Sequence, residues 1–157
     1  MKEIELTYNM MALIDNEDFE DISKYKWSAV KLKSGYNYYA VRVDLDGHNI
    51  TMHSHIMKPS KGQMIDHKDG NGLNNQRKTN LRFCTKSQNM MNKNKYRGLS
   101  KYKGVTLDKS RNKWSASITL NHKRVHLGRF NMEKDAALAY NQKATELFGE
   151  FARLNIL

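Results

Sequence analysis

The chain has 157 residues, and its 27 Lys and Arg against 16 Asp and Glu give a formal net charge of +11. This charge favours a polyanionic partner such as nucleic acid or an anionic membrane surface. The longest apolar run, Met10 to Ile14, is far shorter than the roughly 20 residues of a membrane-spanning helix. The amino terminus has no features of a signal peptide, and the single cysteine, Cys84, excludes an intramolecular disulfide framework. We therefore expect a cytoplasmic protein with no membrane partner and no small-molecule substrate.

The charge is unevenly divided along the chain. Residues 1–51 hold six basic and nine acidic residues, residues 52–95 hold nine and two, and residues 96–157 hold twelve and five. A charge that served solubility alone would have no reason to segregate in this way. The division predicts an anion-binding face that begins in mid-chain.

The first half of the chain contains short strand and helix signals. A strand is predicted from Met10 to Ile14, followed by an acidic helical turn over residues 16–24. The turn Asp46-Gly47 then separates two predicted strands, of which the first alternates apolar and polar residues and the second is short. Their apolar positions are Tyr39, Val41, Val43 and Leu45 before the turn, and Ile50 and Met52 after it.

Residues 58–80 are rich in turn-forming dipeptides, and the spacing from Thr85 to Gln88 is that of a helix capping box. A short helix is therefore predicted through Asn92, and the polar, basic residues after it are typical of a linker.

The last third has the clearest periodicity. One predicted strand places Trp114 and Ile118 on an apolar face, and the turn Asn121-His122 leads into a second strand over residues 123–130. An amphipathic helix is predicted from Met132 onward, because apolar residues recur every three to four positions. A helix that covers one side of such a sheet leaves the other side bare, and here that side is polar and basic.

The residues best suited to chemistry are Asp66, His67, Asn80 and Asn89. Oxygen donors from Asp66 and Asn89 suit a hard cation such as Mg²⁺, and an adjacent histidine can accept a proton from water at neutral pH. This combination is that of metal-assisted phosphodiester hydrolysis. The spacing also fits a turn held by Asn side chains beside a surface histidine.

A family resemblance favours the metal-dependent site over the structural turn. Met52 to Met57, Ile65 to Asn75, Asn80-Leu81-Arg82 and Ser87-Gln88-Asn89 together resemble the HNH endonucleases of the phage and intron homing type, which have a β-β-α-metal fold. The resemblance implies that Asp66 and Asn89 bind one divalent cation, most readily Mg²⁺ with Mn²⁺ as a substitute. It further implies that His67 is the general base, that Asn80 holds His67 or its loop, and that His53, in the preceding strand, faces phosphate or is structural.

The sequence departs from that family in two places. Ser54 and His55 stand where the family commonly has Arg and Leu, so one basic contact is lost. The last metal position is Asn89 and not histidine, which the homing subgroup tolerates. A zinc site built from His53, His55 and His67 is an alternative, because imidazole suits zinc.

Residues 100–155 resemble the ethylene-response-factor, or APETALA-type, DNA-binding domain. The resemblance is carried by Tyr102 to Val105, Lys113 to Ala116, His126 to Phe130, Asp135 to Tyr140 and Ala152 to Asn155. That family lays a three-stranded sheet in the DNA major groove, a mode distinct from a recognition helix. The positions that this implies for DNA contact, together with Lys113 on the same polar face, are Lys103, Thr106, Lys113, Thr119, Arg124 and His126. Trp114 is interpreted instead as a core aromatic.

These observations predict an α+β protein with a β-β-α-metal nuclease module and a three-stranded antiparallel sheet packed on one carboxy-terminal helix. The predicted divisions are residues 1–51, a small α+β segment; 52–95, the nuclease module; 96–101, a basic linker; and 102–157, the DNA-binding domain. The expected function is metal-dependent cleavage of double-stranded DNA by a monomer or weak dimer. The alternatives are a non-catalytic DNA-binding regulator that retains the HNH scaffold and, with less support, an RNA-binding protein.

Overall fold

The computed structural model of the chain describes residues 1–32, 37–93, 98–121 and 123–157. It is a mixed α/β structure with several small antiparallel sheets and a carboxy-terminal helix, as the α+β prediction requires. The chain forms two compact units, Met1–Thr85 and Lys86–Leu157. No described helix is long and apolar enough to cross a bilayer.

The described residues of the first unit form three small antiparallel sheets. They pair β1 with β2, order β3 to β5 as β3-β4-β5, and pair β6 with β7. Its strands are β1 (Lys2–Glu5), β2 (Met11–Ile14), β3 (Ser28–Lys31), β4 (Tyr38–Val43), β5 (Asn49–Thr51), β6 (Met64–His67) and β7 (Leu81–Cys84). Its α-helices are α1 (Phe19–Ile22) and α2 (Met52–Met57), and its 3-10 turns span Thr7–Asn9 and Asn16–Asp18.

One hydrophobic core joins these sheets. Ala29 and Ala40 face each other across β3 and β4, and both are buried against residues from β1, β2, α1, α2 and β7. The core therefore extends on both sides of the predicted division between residues 51 and 52. The largest fully buried apolar side chains among the described residues of this unit are Ile14, Ile22 and Met52.

Two strand predictions in this unit are wrong. Leu45 is fully exposed in the turn after β4, which ends at Val43. Met52 begins α2, so His53 also lies on a helix and not in a strand. The physical reason is that Met52 and Ile56, four residues apart, bury their side chains on one face of a helix. That spacing competes with the alternation of apolar residues from Ile50 to Met52.

The second unit contains a three-stranded antiparallel sheet in the order β10-β9-β8. Helix α4 packs on one face of this sheet through Ala136, Tyr140 and Ala144, and Trp114 lies against the same core as predicted. The elements of the unit are α3 (Lys86–Asn92), β8 (Val105–Asp108), β9 (Lys113–Leu120), β10 (Lys123–Phe130), α4 (Glu133–Phe148) and a 3-10 turn over Gly149–Phe151. His122 of the predicted turn and residues 96 and 97 of the predicted linker lie outside the described residues.

A β-bulge changes which side chains of β10 face away from the helix. The pairing shifts between His126 and Gly128, and Gly128 has a φ of 131°, which is a conformation that glycine adopts without a steric penalty. Past the bulge, Arg129 pairs with Ser115 and Phe130 pairs with Trp114. Arg129 therefore lies on the open face, whereas simple alternation from Val125 predicts that it faces inward.

Candidate active site and DNA interface

The β6–β7 hairpin places two of the predicted site residues side by side. Asp66 pairs in register with Arg82, and His67 pairs with Leu81. Only 5% of the surface of Asp66 and of His67 is exposed. Buried charged and polar groups require partners, and both side chains have them.

One partner of Asp66 is the guanidinium group of Arg82. Its Nε and Nη2 atoms donate hydrogen bonds of 3.0 and 2.8 Å to Oδ2 of Asp66. Because this pair is nearly inaccessible to solvent, loss of one partner would leave an uncompensated buried charge. Arg82 belongs to the motif Asn80-Leu81-Arg82, but no pattern in the sequence indicates its contact with Asp66.

The neighbours that hold the His67 ring include Tyr39, His53 and Asn75. Tyr39 stacks on it with a centroid distance of 5.6 Å and an interplanar angle of 19°, and His53 lies edge-on at 5.0 Å and 90°. Nε2 of His67 lies 3.4 Å from Oδ1 of Asn75. Burial lowers the pKa of His67, and the contact with Asn75 partly offsets this effect. The ring is therefore neutral at neutral pH, which is the form that accepts a proton.

His53 lies on α2 beside this group. Its Nε2 atom is 3.0 Å from Oγ1 of Thr51. Burial, together with the neighbouring His67, lowers the pKa of His53 to about 3. A buried ring with so low a pKa is uncharged at neutral pH. This favours the structural role for His53 over a role in binding phosphate.

The zinc alternative requires His55 as a third ligand. Nε2 of His55 contacts Oδ2 of Asp21 at 2.9 Å, and Nδ1 contacts Nη2 of Arg42 at 3.3 Å. Both ring nitrogens are thus engaged with residues of α1 and β4, which does not favour a zinc site with His53 and His67.

Asn80 connects the two ends of the loop that follows His67. Its Nδ2 donates to the carbonyl oxygen of Asn74 at 2.7 Å, and its Oδ1 accepts the backbone N–H of Asp69 at 3.0 Å. The backbone N–H of Lys68 also donates to the Asn80 carbonyl at 3.0 Å. This geometry is that of a residue that holds the loop, and a catalytic role for Asn80 stays a prediction.

Asn75 is a site residue that sequence reasoning missed. It is completely buried, and besides its contact with His67 it donates its backbone N–H to the Leu13 carbonyl at 2.7 Å. The pair Asn74-Asn75 was interpreted only as a turn. One signal in the sequence could have identified Asn75. The turn needs only one of the two neighbouring asparagines, so the second is free for another role.

Asn89, the second predicted metal ligand, is half-buried on α3 in the second unit. Within that unit Met91 packs against the cluster that includes Ile118 and Phe148. The Nζ atom of Lys103 donates a hydrogen bond to the Met91 carbonyl. The pairing of Asn89 with Asp66 around one ion stays a prediction.

The face of the second unit's sheet that lies opposite α4 carries most of the predicted DNA contacts. The register places Arg124 beside Thr119, and His126 beside Ser117. Nε of Arg124 donates to Oγ of Ser117 at 2.9 Å, which directs the guanidinium group across the sheet. The predicted residues exposed on this face are Thr106, Lys113, Thr119, Arg124 and His126.

Lys103 and Arg129 differ from the expectations for them. Lys103 precedes β8 and is half-buried, and its backbone N–H and carbonyl both bond to the side chain of Asn155. Burial and the charge of Arg153 lower the pKa of Lys103 to about 8. Arg129, which the alternation pattern missed, is on the open face and donates to Asp108 at 2.9 Å.

Within the part of the chain that the structure describes, one group of three carboxylate and imidazole side chains lies close enough to share a cation: Asp44, Asp46 and His48. Oδ1 of Asp44 accepts the backbone N–H groups of Asp46 and His48 at 3.0 and 2.8 Å, and these bonds lower its pKa. The contacts are those of a carboxylate that stabilises the β4–β5 turn.

Comparison with known proteins agrees with this description. A sequence model described as HNH endonuclease matches residues 58–91, and one described as AP2 domain matches residues 100–150. A protein of Acanthamoeba polyphaga mimivirus, named as an uncharacterized HNH endonuclease, is 36% identical over 146 residues, which cover 92% of this chain and 74% of the mimivirus protein. The resemblances to both families are thereby confirmed. The chain belongs to the HNH endonuclease family and carries an AP2 domain after the HNH region.

Proposed function

We propose that the protein is a divalent-metal-dependent DNA endonuclease that hydrolyses phosphodiester bonds and selects its site through the open face of the carboxy-terminal sheet. The observation that carries this proposal is the arrangement of His67, a neutral, buried imidazole held by Tyr39, His53 and Asn75 directly beside Asp66. A histidine that served only to stabilise a turn would not need to be both buried and oriented.

His67 acts as the general base in this proposal. A neutral ring that donates its Nε2 proton to Oδ1 of Asn75 carries its basic lone pair on Nδ1. That atom takes a proton from the attacking water. Asn80 maintains the loop on which Asn74 lies, next to Asn75 in the chain, and so preserves the partner of Nε2.

The chemistry of the donor atoms fits a hard divalent cation. Asp66 offers a carboxylate oxygen and Asn89 offers an amide oxygen, which are ligands that Mg²⁺ and Mn²⁺ accept. A bound cation would neutralise charge on the scissile phosphate and on the departing oxygen. Arg82 holds Oδ2 of Asp66 in place and thereby orients the carboxylate.

Sequence selection requires a separate surface, because hydrolysis of the sugar–phosphate backbone reads no base. The exposed polar and basic side chains on the sheet face opposite α4 can form hydrogen bonds with base edges in the major groove. His126, Thr119 and Thr106 are departures from the pattern of the plant proteins, so the target sequence of those proteins does not apply to this chain.

The test is cleavage of supercoiled plasmid DNA by the full chain with Mg²⁺ or Mn²⁺. We expect His67→Ala to lower the cleavage rate by about 100-fold or more, because it removes the base, while DNA affinity stays unchanged. His48→Ala is the matched control, since it also removes a histidine, but one whose side chain is 77% exposed and has no part in the proposed reaction. If His67→Ala cut at the wild-type rate, the assignment of the base would be wrong.

One observation favours the second candidate function, a DNA-binding regulator without catalysis. The Asp66 carboxylate already has a guanidinium partner, so its burial is explained without an ion. The two functions differ in the plasmid assay: a regulator binds DNA but leaves the plasmid supercoiled in the presence of either metal.

A further inference from the structure

We infer that strands β2 and β4, which precede both family matches, orient the proposed general base, and that Tyr39 is a positioning residue for His67. This inference rests on the proposed function. It assigns a role in the reaction to a part of the chain for which the sequence indicated none.

The first observation is the ring packing around His67. Tyr39, in the middle of β4, stacks on one face of the imidazole, and His53 contacts both rings edge-on, with a centroid distance of 5.0 Å to each. A planar ring held by one face and one edge cannot turn about its Cβ–Cγ bond without displacing a neighbour. The stack therefore determines the direction of the basic lone pair.

The second observation is the close approach of the loop that follows His67 to the same strand. A Cβ atom placed on Gly72 would lie 2.2 Å from Cδ1 of Tyr39 and 2.4 Å from the carbonyl oxygen of Tyr38. The loop backbone thus rests directly on the Tyr39 ring, at a position where only glycine fits. The Asn37 side chain fastens it there, because Nδ2 donates to the Gly70 carbonyl at 2.8 Å and Oδ1 accepts the Gly72 N–H at 3.2 Å.

The third observation is a backbone pairing between β2 and the far end of the loop. The N–H of Leu13 donates to the Leu73 carbonyl at 2.9 Å, and the N–H of Asn75 donates to the Leu13 carbonyl at 2.7 Å. Asn75 in turn contacts Nε2 of His67. The amino-terminal strands thus act on His67 both through its ring face and through its Nε2 atom.

We expect the contacts of Tyr39, Asn37 and Leu13 to affect the rate of cleavage more than the affinity for DNA. Tyr39, Asn37 and Leu13 are not among the predicted DNA-contact residues, but a base that is misdirected by a small distance loses much of its efficiency. Removing the aromatic ring should therefore slow the chemical step while the AP2 domain continues to bind DNA.

The experiment measures the single-turnover cleavage rate of supercoiled plasmid with saturating full-length enzyme and Mg²⁺, and DNA affinity by gel shift. We expect Tyr39→Leu to lower the rate by about 10- to 100-fold with unchanged affinity, and Tyr39→Phe to restore it close to the wild-type rate. Tyr25→Leu is the matched control, because Tyr25 packs edge-on against His55 at 5.3 Å in the same unit and should cut normally. Tyr39→Met serves as a second ring-free variant if Tyr39→Leu does not fold.

Three outcomes would overturn the inference. Cutting by a folded ring-free variant at the wild-type rate would show that the stack is dispensable. Equal losses in Tyr39→Leu and Tyr39→Phe would assign the effect to the hydroxyl group. Equal losses in Tyr39→Leu and Tyr25→Leu would indicate general destabilisation. Failure of the wild-type protein to cut with either metal would instead refute the proposed function, and so the two failures are distinguishable.

Discussion

At the scale of single residues, the structure distinguishes side chains that share a residue type but not an environment. His67, His53 and His55 fall within fifteen positions of one another, yet one is stacked on Tyr39, one is tied to Thr51 and one bridges Asp21 and Arg42. Sequence analysis could name all three as candidates for chemistry. It could not rank them by burial, since burial depends on which strands come together around each ring.

The open face of the carboxy-terminal sheet, which we propose contacts DNA, leads to a prediction about the charge of Arg124. Arg124 is exposed, and we expect Arg124→Ala to weaken DNA binding and to reduce the slope of log affinity against log salt by about one, because one phosphate contact is lost. Binding titrations at several salt concentrations measure this slope. Lys134→Ala is the control, since it removes the same charge from an exposed position on α4. Equal slopes for the two variants would place the DNA face elsewhere.

At the scale of elements, the acidic segment near the amino terminus and the basic turn before β7 neutralise each other. Arg77 and Lys78 both form ion pairs with Glu17, and Arg77 also lies 3.4 Å from Asp18. The backbone N–H of Lys78 donates to Asp15. The basic charge that the sequence places between residues 52 and 95 is therefore partly used for internal contacts and not for DNA.

His53, on helix α2, leads to a prediction about how the free energy of unfolding depends on pH. Because the pKa of His53 is about 3 in the folded protein and about 6.5 when unfolded, the unfolded state binds more protons between these values. The stability that the neutral His53 ring contributes is fully present above pH 6.5 and falls as the pH drops toward 3, by about 3 kcal/mol at pH 4. Urea unfolding of the Trp114→Phe protein, in which Trp27 is the remaining tryptophan, reports on the first unit.

The control for this prediction is the variant His53→Gln in the same background. It should lose less stability between pH 6.5 and 4 than the parent, because it has no imidazole at this position to protonate. An identical pH dependence of the free energy of unfolding in the two proteins would contradict a buried, neutral His53. His48→Gln, at an exposed position, should behave as the parent does.

At the scale of the whole molecule, the net charge belongs almost entirely to one unit. Residues 1–85 hold 12 basic and 11 acidic residues, whereas residues 86–157 hold 15 and 5. The unit that contains the AP2 domain therefore carries the positive potential that attracts DNA. The unit that contains Asp66 and His67 is close to neutral. Its charge therefore contributes little to DNA attraction, and we expect it to act on DNA that the other unit has bound.

This division predicts that DNA binding and cleavage respond differently to metal removal. A chelator should abolish plasmid cleavage, because the proposed reaction requires a divalent cation, but it should leave DNA affinity and its salt dependence unchanged. Gel shifts and plasmid nicking assays on the same samples, with and without chelator, provide the comparison. Cleavage that persisted in excess chelator would contradict the proposed metal requirement, and loss of binding would contradict the separation of the two activities.

The order of residues was sufficient to predict the family resemblances, the helix over residues 86–92 and the sheet and helix of the AP2 domain, because these depend on motif spacing and on local periodicity. The same spacing singles out Asp66, His67, Asn80 and Asn89 as candidates, whose roles stay predictions. Residue order was not sufficient for the bulge that turns Arg129 outward or for the helical start at Met52, where two periodicities compete. Nor could it reveal the contacts of Tyr39 and Asn75 with His67. Those contacts join strands and loops that lie far apart in the chain, and only packing around a shared core brings them within a few ångströms of the same imidazole ring.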